Sequence, residues 1–202
     1  MDTDVFLTIE NLSEGFYSEK GSKFFSFAYP VSSEEEIKNI QQSLRKKYHN
    51  SRHQVYAFML GPDKEFYRAS DDGEPPNSSG MPVLGQIRSF NLTDILIIVV
   101  RYFGGTKLGI PGLINAYKNA AKDALEKAEI IKNFVTKDVE LNFDYEEIAF
   151  VMKTLTDAKA KIVNQTFLEN CKLVFSIRLS EFENLINNLR RNHKIEILLK
   201  DE

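Results

Sequence analysis

Two polar stretches of this chain could do chemistry. Ser70-Asp71-Asp72-Gly73-Glu74-Pro75 groups three carboxylates. About thirty residues later, Arg101-Tyr102-Phe103-Gly104-Gly105-Thr106-Lys107-Leu108-Gly109 sets two cations around a glycine pair. The second stretch sits between the apolar run Ile95 to Val100 and a helix-like segment from about Pro111 to Ile131. Strand, glycine loop and helix in that order bring bare backbone N–H groups up to an anion. On a functional reading, Arg101 and Lys107 hold phosphate while Gly104 and Gly105 allow close backbone approach. On a structural reading, the glycines only permit a tight turn between a buried strand and a packed helix. The Gly-Lys-Ser/Thr ending of a P-loop is missing.

The carboxylates also read two ways. Asp71, Asp72 and Glu74 could bind Mg²⁺, with Lys107 stabilising phosphate charge, as in a phosphoryl-transfer or nucleotide-binding enzyme. Alternatively, Asp72-Gly73 makes a turn and Glu74 pairs with Arg68 or Arg101. His49 and His53 are four apart where helix gives way to strand, so structural roles are expected for both. There is no His/Cys cluster and no HExxH pattern, and Ser70, Ser78 and Ser79 lack a Gly-x-Ser-x-Gly context. A peptidase therefore has no motif to stand on. The sequence assigns no catalytic residue, no metal and no cofactor. Ser79 is expected to cap the helix that follows it. Tyr102 and Phe103 are candidates for stacking on bases, or for packing beneath the loop.

The elements around these stretches mix strand and helix. Lys23 to Tyr29 reads as a strand. Ser32 and Ser33 ahead of Glu35 and Glu36 open a helix to about Lys47, with Ile37, Ile40 and Leu44 as its buried stripe. Arg45-Lys46-Lys47 suits the negative end of that helix. Gln54 to Leu60 and Glu65 to Ala69 form a hairpin around Gly61-Pro62-Asp63-Lys64. Residues 70–80 form a surface loop, and a short helix runs from Pro82 to Ser89. Asp94 to Tyr102 is apolar on both faces and hence central in its sheet. Alanines at 116, 120, 124 and 128 give the next helix a flat face for close packing.

Beyond about residue 138 the chain repeats itself at about 34 residues. Leu141 and Phe143 correspond to Phe175 and Ile177. Ile148, Met152 and Leu155 correspond to Phe182, Ile186 and Leu189. The order is strand, helix, strand, twice, at 138–144, 146–158, 160–167, 171–179, 181–191 and 194–200. This βαββαβ order is ferredoxin-like. The boundary falls at 132–137, giving an N-terminal domain of residues 1–134 and a C-terminal domain of residues 135–202.

Bulk composition excludes several classes. The 202 residues carry a net charge of −3, against a protein that coats nucleic acid by overall charge. Residues 1–137 hold 17 basic and 17 acidic side chains, so a local basic groove is compatible with the first domain. No apolar run reaches the roughly 20 residues of a membrane span, and the acidic start Met1-Asp2-Thr3-Asp4 is unlike a signal peptide. Cys171, the single cysteine, reads as a small buried hydrophobe. A cytoplasmic protein with no membrane partner is expected.

Asp71-Asp72-Gly73-Glu74-Pro75 followed by Arg101-Tyr102-Phe103-Gly104-Gly105-x-Lys107-Leu108-Gly109 resembles the YigZ/IMPACT family. Lys20-Gly21-Ser22-Lys23-Phe24 and His53-x-x-Tyr56-Ala57 match further patches of it. The resemblance covers residues from about 16 to 131. It implies an α+β protein, with a ribosomal-protein-S5 domain-2-like domain followed by a ferredoxin-like one similar to the last domain of a translocation factor. Eukaryotic relatives act in translational control by binding a large regulator of an initiation-factor kinase. The chain departs from the family pattern at Pro111, where a Gly is common, and at Asn115, where an Arg is common. The first removes one donor N–H from an anion site, and the second removes a positive charge. The expected function is a translation-associated regulator that binds RNA, the ribosome or a translation-regulatory protein. The expected contacts are Lys20, Lys23, Arg68, Ser70, Asp72, Gly73, Glu74, Arg101, Tyr102, Gly104, Gly105 and Lys107. The Mg²⁺-dependent enzyme and a regulator acting purely through protein contacts are the alternatives.

Overall fold

A computed structural model describes residues 4–168 and 170–199 of the chain. Along the sequence it contains β1 (Val5–Ile9), β2 (Ser13–Glu19), β3 (Ser22–Pro30), α1 (Glu34–Lys47), β4 (His53–Leu60), β5 (Phe66–Ser70), α2 (Gly80–Ser89), β6 (Ile95–Tyr102) and α3 (Gly109–Lys127). There follow β7 (Ile130–Phe134), β8 (Thr136–Asp144), α4 (Ile148–Asp157), β9 (Lys161–Thr166), β10 (Asn170–Arg178), α5 (Leu179–Arg190) and β11 (Ile195–Leu199). Two compact units result. One is Phe6–Asn133; the other is Phe134 onward together with residues 4 and 5. No helix among the described residues is long and apolar enough to cross a membrane. Met1, Asp2, Thr3 and Lys200, all of which enter the sequence expectations, lie outside the described residues.

The larger unit is built on a five-stranded sheet in the order β2-β3-β6-β4-β5. β6 is central, as its unbroken apolar run requires, and Ile95 through Arg101 are all buried. Side chains alternate across the sheet. Ile95, Ile97 and Val99 face a core shared with α2 and α3. Leu96, Ile98 and Val100 face a second core under α1. α1 begins where expected, with the Ser33 hydroxyl accepting from the Glu36 N–H. The alanine face of α3 lets β2 and β3 come very close. Ser13 Oγ donates to the Ala124 carbonyl at 2.8 Å and Ser26 Oγ to the Ala120 carbonyl at 2.6 Å.

One boundary differs from the sequence expectation. α3 ends at Lys127 instead of Ile131, because Ala128 turns to extended backbone and Ile130–Phe134 pairs with β1. The β-branched Ile130-Ile131 pair gains more from a partner strand than from another helical turn.

The smaller unit has an antiparallel sheet in the order β11-β8-β10-β9. Numbered within its own βαββαβ series this is 4-1-3-2, the ferredoxin-like arrangement that the 34-residue repeat implied. Val139, Leu141 and Phe143 of β8 and Cys171, Leu173, Phe175 and Ile177 of β10 share one buried core with α4 and α5. Asp4 is held in the same unit by two bonds from Arg178, at 2.8 and 2.9 Å, and one from the Ser180 N–H at 2.9 Å. These bonds keep the Asp4 carboxyl well below the usual carboxylate range.

Candidate functional site

The acidic loop spends most of its charge on its own shape. Asp71 accepts from the N–H groups of Asn77, Ser79 and Gly80 and from the Ser79 hydroxyl, all within 2.7–3.1 Å. Burial pushes the Asp71 carboxyl up, but these four bonds outweigh it and hold the group below its ordinary value. Ser79 does stand at the N-cap position of α2, yet its hydroxyl donates to Asp71 rather than capping the helix. Asp72, in left-handed backbone at φ 44°, accepts from Arg45 at 2.5 Å and from the Gln54 N–H at 2.6 Å. Asp71 and Asp72 thus act as staples across the loop. Asp71 spans the loop with four accepted hydrogen bonds and Asp72 ties it to α1 and β4 with two. Among the described residues no three His, Cys, Asp or Glu side chains are placed to hold a metal ion.

Glu74 has a different role. Its side chain is only 5% exposed and points inward, toward the end of β6. Arg101 Nη1 donates to Glu74 Oε1, as does the Tyr117 hydroxyl of α3 at 2.8 Å. Burial, with Glu74 alongside, pushes the Tyr117 hydroxyl far up, so it stays a donor. His53 stands opposite Arg101 in the β4–β6 register, with its Nε2 3.8 Å from Glu74 Oε1. Its Nδ1 lies 2.7 Å from the Asp72 carbonyl. A carbonyl can only accept, so Nδ1 carries the proton and the ring is oriented by the loop. Arg101 Nη2 reaches Ser22 Oγ at 3.5 Å, while Arg101 Nε is buried without a hydrogen-bond partner among the described residues.

The glycine loop closes the other side. Gly104 lies against the β2–β3 turn, its N–H donating to Ser22 Oγ at 3.2 Å. Gly105 has φ 86° and meets no neighbour, so it serves the turn itself. The loop carries Lys107 and leads into α3. Together the two loops enclose a pocket of about 450 Å³. Buried Glu74 and Arg101 and half-buried His53 form its polar floor. Arg52, Phe103 and Lys107 stand at its exposed rim. Pro75, Leu108, Ile110 and Leu113 supply apolar wall. The Arg52 and Arg101 guanidiniums lie 5.5 and 5.8 Å from the Phe103 ring centre.

Of the residues singled out from sequence, Gly73, Glu74, Arg101, Phe103 and Lys107 meet in this pocket. Gly104 and Gly105 shape its loop without lining it, and Asp72 braces it from behind. Others lie on the opposite face of the sheet. Lys23 pairs with Tyr102, and the alternation that puts Phe24 and Arg101 on the α3 side puts both of these on the α1 side. Tyr102 donates to Asn50 Oδ1 at 3.0 Å. Arg68 and Ser70 pair with Phe58 and Tyr56, again on the α1 side. Ser70 Oγ accepts from the Asp72 N–H at 3.4 Å. Lys20 sits exposed in the β2–β3 turn at φ 46°. Arg68, Lys23 and Arg101 therefore do not share one groove. Asn115, where the family often has Arg, donates to the Tyr17 hydroxyl at 3.3 Å.

Arg52, His53 and Tyr117 belong to the site although sequence reasoning gave them no part in it. The alternation of β4 does place His53 on the face of Val55, Ala57 and Met59. The β4–β6 register that sets it beside Arg101 has no local signal.

Fold and site define a two-unit α+β protein with a mixed polar and apolar pocket between two loops of its larger unit. The Impact N-terminal domain model matches residues 20–125, and the chain belongs to that family. It is 27% identical over 165 residues to the IMPACT family member YvyE of Bacillus subtilis (strain 168), covering 82% of this chain and 76% of that one. It is 42% identical over 107 residues to an IMPACT family member of Thermus thermophilus, covering 53% of this chain and 56% of that one. A crystal structure of a hypothetical protein shares the fold at a TM-score of 0.77 and 24% identity, over 98% of each chain.

Proposed function

We propose that this protein is a cytoplasmic translation-associated regulator that binds single-stranded RNA, free or on the ribosome, through the pocket of its larger unit. The observation that carries this reading is the meeting of the two loops around one cavity, with the exposed side chains Arg52, Phe103 and Lys107 at its rim. Cations beside an exposed aromatic ring suit a phosphate backbone with an unstacked base. The net charge of −3 favours a local contact over general coating of nucleic acid. The role in translation follows the family's implied place in translational control.

Fluorescence anisotropy with a labelled single-stranded RNA, titrated at several salt concentrations, tests the proposal. The full chain is expected to bind with an affinity that falls with salt. An Arg52→Ala/Lys107→Ala double variant is expected to bind more weakly, with a salt slope smaller by about 0.7 per lost phosphate contact. Unchanged binding by that variant removes the pocket from the mechanism. Capture of protein partners from lysate that survives ribonuclease, with no RNA binding in solution, replaces RNA with a protein ligand.

A further inference from the structure

We propose that the pocket takes a single unpaired nucleotide with its base inward and its phosphate at the rim. This inference rests on the RNA-binding reading and specifies what part of the RNA is read. Its starting point is the pocket floor, which carries both signs of hydrogen-bonding capacity.

The hydrogen bonds to Glu74 from Arg101 and Tyr117 both end on Oε1. Oε2 is the carboxylate's remaining acceptor. His53 Nδ1 is committed to the Asp72 carbonyl, so in the neutral ring Nε2 is a second acceptor. Arg101 lines the pocket with a side chain only 6% exposed; its guanidinium gives one N–H to Glu74 and one to Ser22 and keeps further N–H groups for a guest. A guest that supplies an acceptor to those N–H groups gains a charge-assisted hydrogen bond.

An anionic head cannot fill this need, because it would meet the Glu74 carboxylate at the same floor. The anion belongs instead at the rim, with Arg52 and Lys107. The floor calls for a neutral edge bearing an N–H donor for Glu74 and an acceptor for the Arg101 guanidinium. The hydrogen-bonding edge of a nucleobase has both groups side by side. The C-terminal carboxylate of a peptide has acceptors only, and an apolar side chain would leave the floor unpaired. The walls agree with a flat guest. Phe103 is 42% exposed and so leaves ring surface for a guest beside the Arg52 and Arg101 guanidiniums, and Leu108, Ile110 and Leu113 form the apolar wall. The volume of about 450 Å³ lies in the range of small-molecule pockets.

Calorimetric titration of the full chain with AMP, GMP, CMP and UMP, alongside ribose 5-phosphate and inorganic phosphate, tests the orientation. At least one nucleotide is expected to bind about tenfold or more tightly than ribose 5-phosphate. Phe103→Ala, at an exposed position, is expected to weaken that nucleotide roughly 5- to 150-fold. Glu74→Gln, checked by circular dichroism for folding, is expected to narrow the gap between nucleotide and ribose 5-phosphate. Equal binding of nucleotide and ribose 5-phosphate, binding of neither, or tighter binding of a peptide carboxylate overturns the proposal. A single-stranded RNA and its abasic counterpart then separate the two levels. If both bind equally and both need Arg52 and Lys107, the base-inward orientation falls and the RNA reading stands. If neither binds, the RNA reading falls as well.

Discussion

Replacing Gly104 with alanine probes how the glycine loop is seated. A Cβ on Gly104 would lie 1.9 Å from the Gly21 carbonyl carbon, 2.1 Å from the Ser22 nitrogen and 2.3 Å from the Gly21 oxygen. All three are backbone atoms, so no side chain can swing aside. Ordinary contact begins near 3.4 Å, so the loop and the β2–β3 turn must separate by about 1.5 Å. That movement breaks the bond from the Gly104 N–H to Ser22 Oγ and draws Ser22 away from Arg101. Overpacking costs about 1–3 kcal/mol and the hydrogen bond about 1 kcal/mol, so a loss of about 2–4 kcal/mol is expected. In a unit of this size that lowers the melting temperature by about 6–20 °C. Gly105→Ala is the control. It meets no atom within 4 Å and is disfavoured only by its φ of 86°, at about 1–2 kcal/mol. Scanning calorimetry of both variants reads the difference. A Gly104→Ala protein that melts within 2 °C of the parent, taken as about the smallest decisive shift, would refute the seating described.

Other substitutions test the remaining contacts. Tyr117→Phe removes one donor from Glu74 while keeping the ring against Phe24. It should cost about 1 kcal/mol, read by urea unfolding, and an unchanged midpoint would mean the hydroxyl contributes nothing. Asp71 has a folded-state pKa below its unfolded value, so its contribution is full above the unfolded pKa and is lost as pH falls through the folded one. Asp71→Asn should therefore lower stability at neutral pH and flatten its decline on the acid side, and a parallel acid limb would contradict the staple role. Arg178 similarly depresses the Asp4 carboxyl, so an NMR titration should find Asp4 ionised well below the pH at which exposed aspartates protonate. In Arg178→Ala that titration should move up; no movement would remove the fork from the account.

Several features are legible in the sequence itself. The Ser33 cap of α1, the hairpin of β4 and β5, and the burial of Cys171 all follow from side-chain type and spacing within a few residues. Ser79 shows the limit of such reasoning. Its position predicts a helix cap, yet Asp71, eight residues back along the chain, draws its hydroxyl away. A local rule loses whenever a distant carboxylate gives a better bond in the same place. The same holds for Ile130 and Ile131, whose partner strand begins at Val5.

The sequence alone determined that Ile95 to Val100 lies at the centre of a sheet, that a glycine loop links it to a close-packed helix, and that the C-terminal part is ferredoxin-like. Each rests on the type and order of residues along the chain, which need no tertiary contact to be read. Which charges meet is set by how the strands and loops pack. Arg68, Lys23 and Arg101 look equivalent in sequence, but the alternation of strands held in one register sends the first two to the α1 face and the third to the pocket. That packing also makes Asp71 and Asp72 brace a loop while Glu74 joins His53, Arg101 and Tyr117, four residues brought from the 70–80 loop, two strands and a helix. Register and long-range hydrogen bonding have no short-range signature, so the site became visible only when the strands were paired.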